Sequence, residues 1–290
     1  MRFGYITNGF RDHALEDALA ILAGEGYQGV GITLDTGHLH PYRAARKDVL
    51  QVRDALRRLG LEAVVETGAR YVLDPRRKHW PTLISAEGRQ RRMDFLLRSL
   101  DIAGTLGARV LSLWSGARDP AVGEEESWNH LTEGLRFLER EARGRGIVLA
   151  FEPEPGMLVG DLMHWRRLRE RLSAREAPAL KLTLDLGHLQ CTEEPPLDRW
   201  IRENASDLAN VHLEDIRGRN HEHLFFGDGQ MDFPPLLAAL EEIRYEGLAL
   251  VELGRHSHAA PECAARAIRI LRGHLGSGRS PGPDRITAVP

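Results

Sequence analysis

Four side chains that can bind a metal ion lie at or near the ends of apolar, strand-like stretches in the second half of the chain. Glu152 follows "IVLAF", Asp185 ends "LKLTLD", and His212 lies within "LANVHLED". Glu252 follows a fourth stretch, "LALV", and His188 comes three residues after Asp185. Carboxylates that are buried together are costly unless a cation compensates their charge. Three carboxylates and one imidazole suit a single divalent ion, so we expect Mn²⁺ first, with Mg²⁺, Co²⁺ and Zn²⁺ as alternatives.

Each of these residues also has an ordinary structural interpretation. A glutamate at the end of a single strand most often forms a salt bridge in a loop, and His212 alone could be a hydrogen-bonded core histidine. The metal site is favoured because the residues follow successive predicted strands, and the carboxyl ends of barrel strands meet at one mouth.

Eight short apolar stretches predict β-strands, and a longer stretch with helical spacing of its apolar residues follows each of them. A strand and a helix repeated eight times predict a parallel sheet closed into a single (β/α)8 barrel, with an open doubly wound sheet as the alternative. No G-x-G-x-x-G motif follows a strand, so no dinucleotide site is predicted. The predicted strands are residues 2–7, 29–34, 61–67, 108–114, 147–153, 180–185, 208–215 and 248–253.

The barrel is predicted to span residues 1–275, and a flexible tail rich in Gly and Pro is predicted for residues 276–290. Two long segments, 70–86 and 216–231, are predicted to be loops at the C-terminal mouth, where barrels build their sites. Several helices are predicted to end at a glycine, because glycine readily adopts the left-handed turn before the next strand. These glycines are Gly26, Gly60, Gly107, Gly146 and Gly247.

Composition limits the classes of partner. The formal net charge of −3 provides no global field that would attract nucleic acid. No apolar run reaches the roughly 18 residues that a membrane span needs, and "MRFGYITNGF" lacks the apolar core of a signal peptide. The two cysteines, Cys191 and Cys263, fit a reducing compartment. We therefore expect a cytoplasmic protein with a small-molecule partner, and neither a membrane nor a nucleic acid.

Five motifs follow one another along the chain: "FEPEPG", "LDLGHL", "VHLEDIRG", "FFGDGQMDF" and "LVEL". In this order they resemble the xylose-isomerase-like barrel superfamily, which includes sugar and sugar-phosphate isomerases, ketose 3-epimerases, inosose dehydratases and apurinic-site endonucleases. The resemblance implies that the metal ligands are Glu152, Asp185, His212 and Glu252. His188 matches a position that contacts substrate in the isomerases and a metal in the endonucleases.

The resemblance implies a divalent-metal-dependent isomerase or epimerase acting on a carbohydrate-like substrate: a sugar, a sugar phosphate, or a related polyol or keto acid. In that chemistry the metal polarises a carbonyl and one of Glu152 and Glu252 removes the neighbouring proton. The other glutamate returns a proton to the resulting cis-enediolate. Trp114 is expected to form a wall of the substrate site, with core packing as its alternative. The expected substrate-binding residues are His188, Trp114, Arg217 and His223.

Three other functions stay open: an inosose-type dehydratase, a metal-dependent phosphodiesterase like the apurinic-site endonucleases, and a barrel that binds a metabolite without turnover. The endonucleases would require histidines at the ends of the third and fourth strands, where the chain has "VVETG" and "SLWSG". A second metal near His221 and His223 also stays open, as does a homodimer. Trp80 is a candidate lid residue. Candidates to bind a carboxylate or phosphate of the substrate are Arg70, Arg76, Arg77, Lys78, Arg217 and Arg219.

Overall fold

The computed structural model describes residues 1–172 and 180–277, and it contains one closed barrel of eight parallel strands. The strands of the described residues are β1 (Arg2–Ile6), β2 (Gly29–Thr33), β3 (Glu62–Glu66), β4 (Val110–Leu113), β5 (Val148–Phe151), β6 (Lys181–Asp185), β7 (Leu208–Leu213), β8 (Asp215–Arg217), β9 (Asn220–Leu224) and β10 (Leu248–Val251). Their order around the barrel is β1-β10-β7-β6-β5-β4-β3-β2, while β8 and β9 pair separately. The predicted (β/α)8 barrel is confirmed.

Helices connect the consecutive strands of the barrel. Their bounds are α1 (Leu15–Gly24), α2 (Arg46–Leu59), α3 (Arg89–Leu106), α4 (Glu124–Gly144), α5 (Leu162–Arg171), α6 (Leu186–Thr192), α7 (Asp198–Glu203), α8 (Phe233–Glu242) and α9 (Ala260–Ser277). Gly60 and Gly107 follow α2 and α3 with φ of 68° and 80°, as predicted for helix-ending glycines. After α8 the left-handed residue is Arg244, with φ of 54°, so the prediction for Gly247 is wrong.

The interior of the barrel is filled by a small apolar cluster formed by Ile6, Val64, Leu248 and Leu250. Glycines in the neighbouring strands make room for these side chains. A Cβ atom on Gly29 would lie 2.4 Å from Cδ1 of Leu248, which is closer than real atoms approach. The larger core lies between the sheet and the helices.

The segment after β7 differs from its prediction. The predicted strand 208–215 ends at Leu213, and the segment 216–231 contains an antiparallel hairpin formed by β8 and β9 rather than a loop throughout. The physical reason is the carboxylate of Asp215, which accepts hydrogen bonds from the backbone N–H groups of Gly227, Gly229 and Met231 at 2.8, 3.1 and 3.0 Å. These bonds fold the far end of the segment back onto the start of β8.

The other predicted loop, residues 70–86, contains no helix or strand, as expected. Helix α9 ends at Ser277, two residues beyond the predicted end of the barrel, and the remainder of the predicted tail, 278–290, lies outside the described residues. Within residues 1–172 and 180–277, no helix has both the length and the apolar character needed to cross a membrane.

Candidate metal centre and substrate cavity

The four predicted metal ligands meet at the mouth of the barrel. Glu152 directly follows β5, Asp185 is the last residue of β6, His212 lies in β7, and Glu252 directly follows β10. One ligand-capable atom from each of the four lies within 4.8 Å of the others. The side chains converge because parallel strands in a barrel present their carboxyl ends to the same face.

The distances centre on Nδ1 of His212. This atom lies 3.2 Å from Oε1 of Glu152, 3.2 Å from Oε2 of Glu252 and 3.7 Å from Oδ2 of Asp185. Oδ1 of Asp185 accepts a hydrogen bond from the backbone N–H of His188, at 2.9 Å, whereas Oδ2 is buried and has no hydrogen-bond partner among the described residues. Buried carboxylate oxygens without partners are costly, and a divalent cation removes that cost. The donor set therefore fits a hard divalent ion.

A fourth carboxylate lies behind the imidazole and was not predicted as part of the site. Oε1 of Glu66, the last residue of β3, lies 3.2 Å from Nε2 of His212 and accepts a hydrogen bond from Nδ2 of Asn210 at 3.0 Å. A histidine that binds a metal through Nδ1 must carry its proton on Nε2, and Glu66 is placed to accept that hydrogen bond. Such carboxylate–histidine pairs orient the ring and raise its basicity as a ligand.

Proton affinities at the centre are strongly perturbed. Burial raises the pKa of Glu152 to about 7, although the facing His212 opposes the rise. Burial also raises the pKa of Glu252, but its hydrogen bond with His212 and the charge of His223 outweigh this effect, so that its pKa is lowered. For His212 burial lowers the pKa, while Glu66 and then Glu152 raise it further than burial lowers it. Two glutamates with pKa values shifted in opposite directions thus flank one imidazole, as acid and base roles require.

Asn8 holds one oxygen of Glu252. It lies in a short 3-10 helix, Thr7–Phe10, directly after β1, and its Nδ2 donates to Oε1 of Glu252 at 2.8 Å. Oε2 of the same glutamate is then left facing His212. The sequence did not single out Asn8, because a lone asparagine after a strand carries no periodic signal.

Three of the four predicted substrate-binding residues line the cavity above this centre. Trp114 follows β4 and is 7% exposed, His188 lies on α6, and His223 lies on β9. His188 is held by the carbonyl oxygen of Pro153, 2.9 Å from its Nδ1. The structure places Arg217 elsewhere: its exposed guanidinium donates to the carbonyl of Asp228, across the hairpin.

The histidines of the hairpin form a second cluster beside the first. Nε2 of His221 lies 3.0 Å from Nε2 of His188, and Nδ1 of His223 contacts Oε2 of Glu214. Glu214 is fully buried, and neither of its carboxylate oxygens has a hydrogen-bond partner in the part of the chain that the structure describes. Ligand-capable atoms of His188, Glu214 and His221 lie within 4.8 Å of one another. These are the residues that a second cation near His221 and His223 would require.

The cavity has a volume of about 610 Å³, enough for a sugar-sized molecule. His79, from segment 70–86, lines it, and burial lowers the pKa of its imidazole to about 4 while its Nδ1 lies 2.6 Å from the carbonyl oxygen of Gly68. The candidate lid residue Trp80 does not line the cavity; the guanidinium of Arg77 lies 3.1 Å from its ring centroid. Four cationic side chains contribute to the cavity wall: Arg11, Arg70, Lys78 and Arg255.

Comparison with known proteins identifies the family. A family model described as xylose isomerase-like TIM barrel matches residues 19–274, and the chain belongs to this family. Among curated relatives, the inosose dehydratase of Clostridium perfringens strain 13 is 30% identical over 145 residues, which cover 44% of this chain and 48% of that protein. The chain thus spans about half the length of such relatives. The inosose dehydratase of Erwinia tasmaniensis is 25% identical over 230 residues, or 68% of this chain and 76% of that protein.

Solved structures confirm the fold. A D-tagatose 3-epimerase-like protein superposes with a TM-score of 0.76 at 18% identity, covering 95% of this chain and 100% of that chain. The 3-keto-D-glucoside 4-epimerase from E. coli gives 0.76 at 18% identity, with 94% and 99% covered. The probable 3-DHS dehydratase from Bacillus anthracis gives 0.75 at 13% identity, with 94% and 99% covered. At these identities the similarity establishes the architecture of the barrel.

Proposed function

We propose that this protein is a divalent-metal-dependent isomerase or epimerase that moves a proton at a carbon next to a carbonyl of a carbohydrate-like substrate. The observation that supports this proposal best is the placement of Glu152 and Glu252. Each has one oxygen 3.2 Å from Nδ1 of His212, and both line the same cavity. Two carboxylates at one cavity allow one to remove a proton and the other to return it.

Each side chain at the cavity has a proposed role in the reaction. One of Glu152 and Glu252 takes the proton from the carbon next to the carbonyl, which leaves an enediolate. The other glutamate delivers a proton to the opposite face of that carbon, in epimerisation, or to the adjacent carbon, in isomerisation. Asn8 keeps Glu252 in position, and we expect His188, which lines the cavity, to contact the substrate. Trp114 supplies an apolar wall that limits access of water.

Glu152, Asp185, His212 and Glu252 would hold the metal, with Mn²⁺ as the first expectation and Mg²⁺, Co²⁺ and Zn²⁺ as alternatives. When bound, a divalent ion there supplies Lewis-acid polarisation of the carbonyl, which lowers the pKa of the neighbouring C–H group. The solved structures of similar fold support a carbohydrate as the partner, since one of them is a D-allulose 3-epimerase in complex with D-allulose.

The test is exchange of solvent deuterium. Mn²⁺-loaded protein is incubated in D₂O with a panel of ketoses, and we expect metal-dependent uptake of deuterium at a carbon next to the carbonyl. Glu152→Gln and Glu252→Gln should each abolish the uptake, whereas Glu241→Gln, at an exposed position on α8, should not change it. Uptake that persists in both active-site variants would remove the acid and base assignments.

A dehydratase acting on an inosose-like cyclic substrate is the second candidate, because the curated relatives reported above are inosose dehydratases. It would also begin with removal of a proton next to a carbonyl, but would then expel a hydroxyl group instead of returning the proton. Incubation with an inosose should then produce an enone absorbance in the ultraviolet. Absence of that absorbance, together with deuterium uptake by a ketose, would favour the epimerase.

The phosphodiesterase and the non-catalytic metabolite-binding barrel are distinguished by the number of bound metal ions per chain and by whether a substrate is turned over. A phosphodiesterase would need more than one tightly bound metal, and the residues after β3 and β4 are Thr67 and Trp114 rather than histidines. A metabolite-binding barrel would bind metal and sugar without exchange or dehydration. A homodimer and a cytoplasmic location stay predictions; light scattering after size-exclusion chromatography tests the first, and cell fractionation tests the second.

A further inference from the structure

Four cationic side chains line the cavity without a carboxylate partner among the described residues. Among residues 1–172 and 180–277, Arg11, Arg70, Lys78 and Arg255 form no ion pair. Other arginines of this chain are paired, including Arg77 of the same segment, whose Nη2 lies 2.9 Å from Oδ2 of Asp74. The positive charge at the cavity is therefore not balanced by direct contacts with the protein's own acidic groups.

Arg70 is the most constrained of the four. Its Nη1 is buried and has no hydrogen-bond partner in the described part of the chain. Burial lowers the pKa of its guanidinium and the neighbouring charge of Arg11 lowers it further, while the charges of Asp35 and Glu252 oppose this effect. A buried cationic donor beside a like charge is an unfavourable arrangement that an anion placed between the two would relieve.

Gly254 fixes the relative position of the two guanidinium groups. Its carbonyl accepts a hydrogen bond from Nη2 of Arg11 at 3.0 Å. A Cβ atom on Gly254 would lie 3.2 Å from Nη2 of Arg70 and 3.5 Å from Cγ of Asn8, so the missing side chain leaves space for Arg70 at this point. Asn8 in turn holds Glu252. The cationic pair is thus adjacent to one of the two proposed proton-transfer groups and belongs to the same cavity.

We infer that the substrate carries an acidic group, a carboxylate or a phosphate, which binds to Arg70 and Arg11. The two parallel N–H donors of a guanidinium group match a pair of oxygens on either anion, and such a contact would give Nη1 of Arg70 a partner. This inference rests on the proposed function for the reacting end of the substrate, and it narrows the substrate class to sugar acids or sugar phosphates.

The inference is tested by calorimetric binding of three matched probes: D-fructose, D-fructose 6-phosphate and D-fructuronate. We expect at least one anionic probe to bind about 10-fold to 100-fold more tightly than D-fructose, the effect of one or two charge-assisted hydrogen bonds. The two anionic probes distinguish phosphate from carboxylate. Titrations with Mn²⁺-loaded and metal-stripped protein separate binding by the arginines from binding by the ion.

Arg70→Gln should remove the preference for the anionic probe over D-fructose, because charge-assisted bonds to the anion are the ones lost. Arg70→Lys should recover part of the preference for the anionic probe, because lysine restores the positive charge but not the two parallel N–H donors of a guanidinium group. Arg11→Gln, at an exposed position, provides a second variant that does not disturb a buried side chain. Arg76→Gln is the matched control, since Arg76 is an exposed arginine of the same segment that does not line the cavity.

Equal binding of all three probes would overturn the inference, as would an anion preference that survives in both Arg70→Gln and Arg11→Gln. If the protein still exchanges deuterium on a neutral ketose when either of these two results is found, the proposed function remains supported. Conversely, arginine-dependent binding of an anion in a protein that exchanges no deuterium would support the anion site and contradict the proposed proton transfer.

Discussion

Glu66→Gln tests how the fold prepares His212 for a metal. Nε2 of His212 lies 3.2 Å from Oε1 of Glu66, and the two side chains are 2% and 9% exposed. Glutamine keeps the size of the side chain and an oxygen that can accept the hydrogen bond, but it removes the negative charge. The imidazole should then be a weaker base and a less firmly oriented ligand.

The magnitude follows from the burial of this pair. A hydrogen bond to a charged group contributes about 1.5–3 kcal/mol, and the glutamine retains part of it. Losing the remainder, about 1–2 kcal/mol, corresponds to roughly 5-fold to 30-fold weaker metal binding, at the lower end of the usual effect of altering a group that supports a metal-bound histidine. Folding should be retained, because Asn210 can still donate to the side-chain oxygen at position 66.

The assay is calorimetric titration of Mn²⁺ into metal-stripped protein at pH 8 and at pH 6. Burial lowers the pKa of His212, but the surrounding carboxylates, Glu66 first, raise it further than burial lowers it. In the wild type a proton on His212 therefore competes with Mn²⁺ as the pH falls. Glu66→Gln lowers the pKa of His212 and weakens this competition, so the difference in Mn²⁺ affinity between wild type and Glu66→Gln should be larger at pH 8 than at pH 6. Glu62→Gln, on the same strand but at an exposed position, is the control. Equal affinity of Glu66→Gln and wild type at pH 8 would refute this reasoning.

Three further predictions follow from the same contacts. Metal-stripped protein should lose on the order of 2 kcal/mol of stability to urea between pH 5 and pH 8, because burial raises the folded pKa of Glu152 from 4.5 to about 7 and the carboxylates raise that of His212. Glu152 and His212 stabilise the folded state at pH values below their pKa values in the unfolded chain. This contribution is lost as the pH rises through their higher pKa values in the folded protein. Stability that increases between pH 5 and pH 8 would contradict the prediction. Asn8→Ala frees Oε1 of Glu252 and should lower kcat about 10-fold or more while the Mn²⁺ content stays the same, so an unchanged kcat counts against a positioning role for Asn8. Asp215→Ala leaves several backbone N–H groups of the hairpin segment without an acceptor and should cost about 2–3 kcal/mol in urea unfolding, whereas a change below about 0.5 kcal/mol would show that these bonds are not needed.

The strands of the barrel could be predicted because they are buried on both faces, so that each one is a nearly continuous apolar run. β9 could not, because its sequence "NHEHL" is polar and lacks the alternation of a half-buried strand. Its pairing with β8 depends on the acceptor at Asp215 and on a left-handed turn at Gly218, with φ of 62°. The acceptor at Asp215 and its backbone donors lie 12 to 16 residues apart, so these bonds leave no local pattern in the sequence.

At the candidate metal centre, too, the residues that follow a local sequence pattern could be predicted, whereas contacts that depend on the closed barrel could not. Glu152, Asp185 and Glu252 were found because they end apolar strands, and Glu66 carries the same signal at the end of β3. It was missed because its partner, Nε2 of His212, is defined only by the closed barrel. Arg70 lies in an irregular segment, so its sequence context could mark it as a candidate for binding an anion but could not show that its guanidinium lies beside Gly254.

Anomalous diffraction at the manganese absorption edge from crystals of Mn²⁺-loaded protein would show whether these four side chains bind one ion. We predict a strong anomalous peak in direct contact with carboxylate oxygens of Glu152, Asp185 and Glu252 and with Nδ1 of His212. A protein that binds Mn²⁺ elsewhere, or that shows no peak among these four side chains at saturating Mn²⁺, would contradict it.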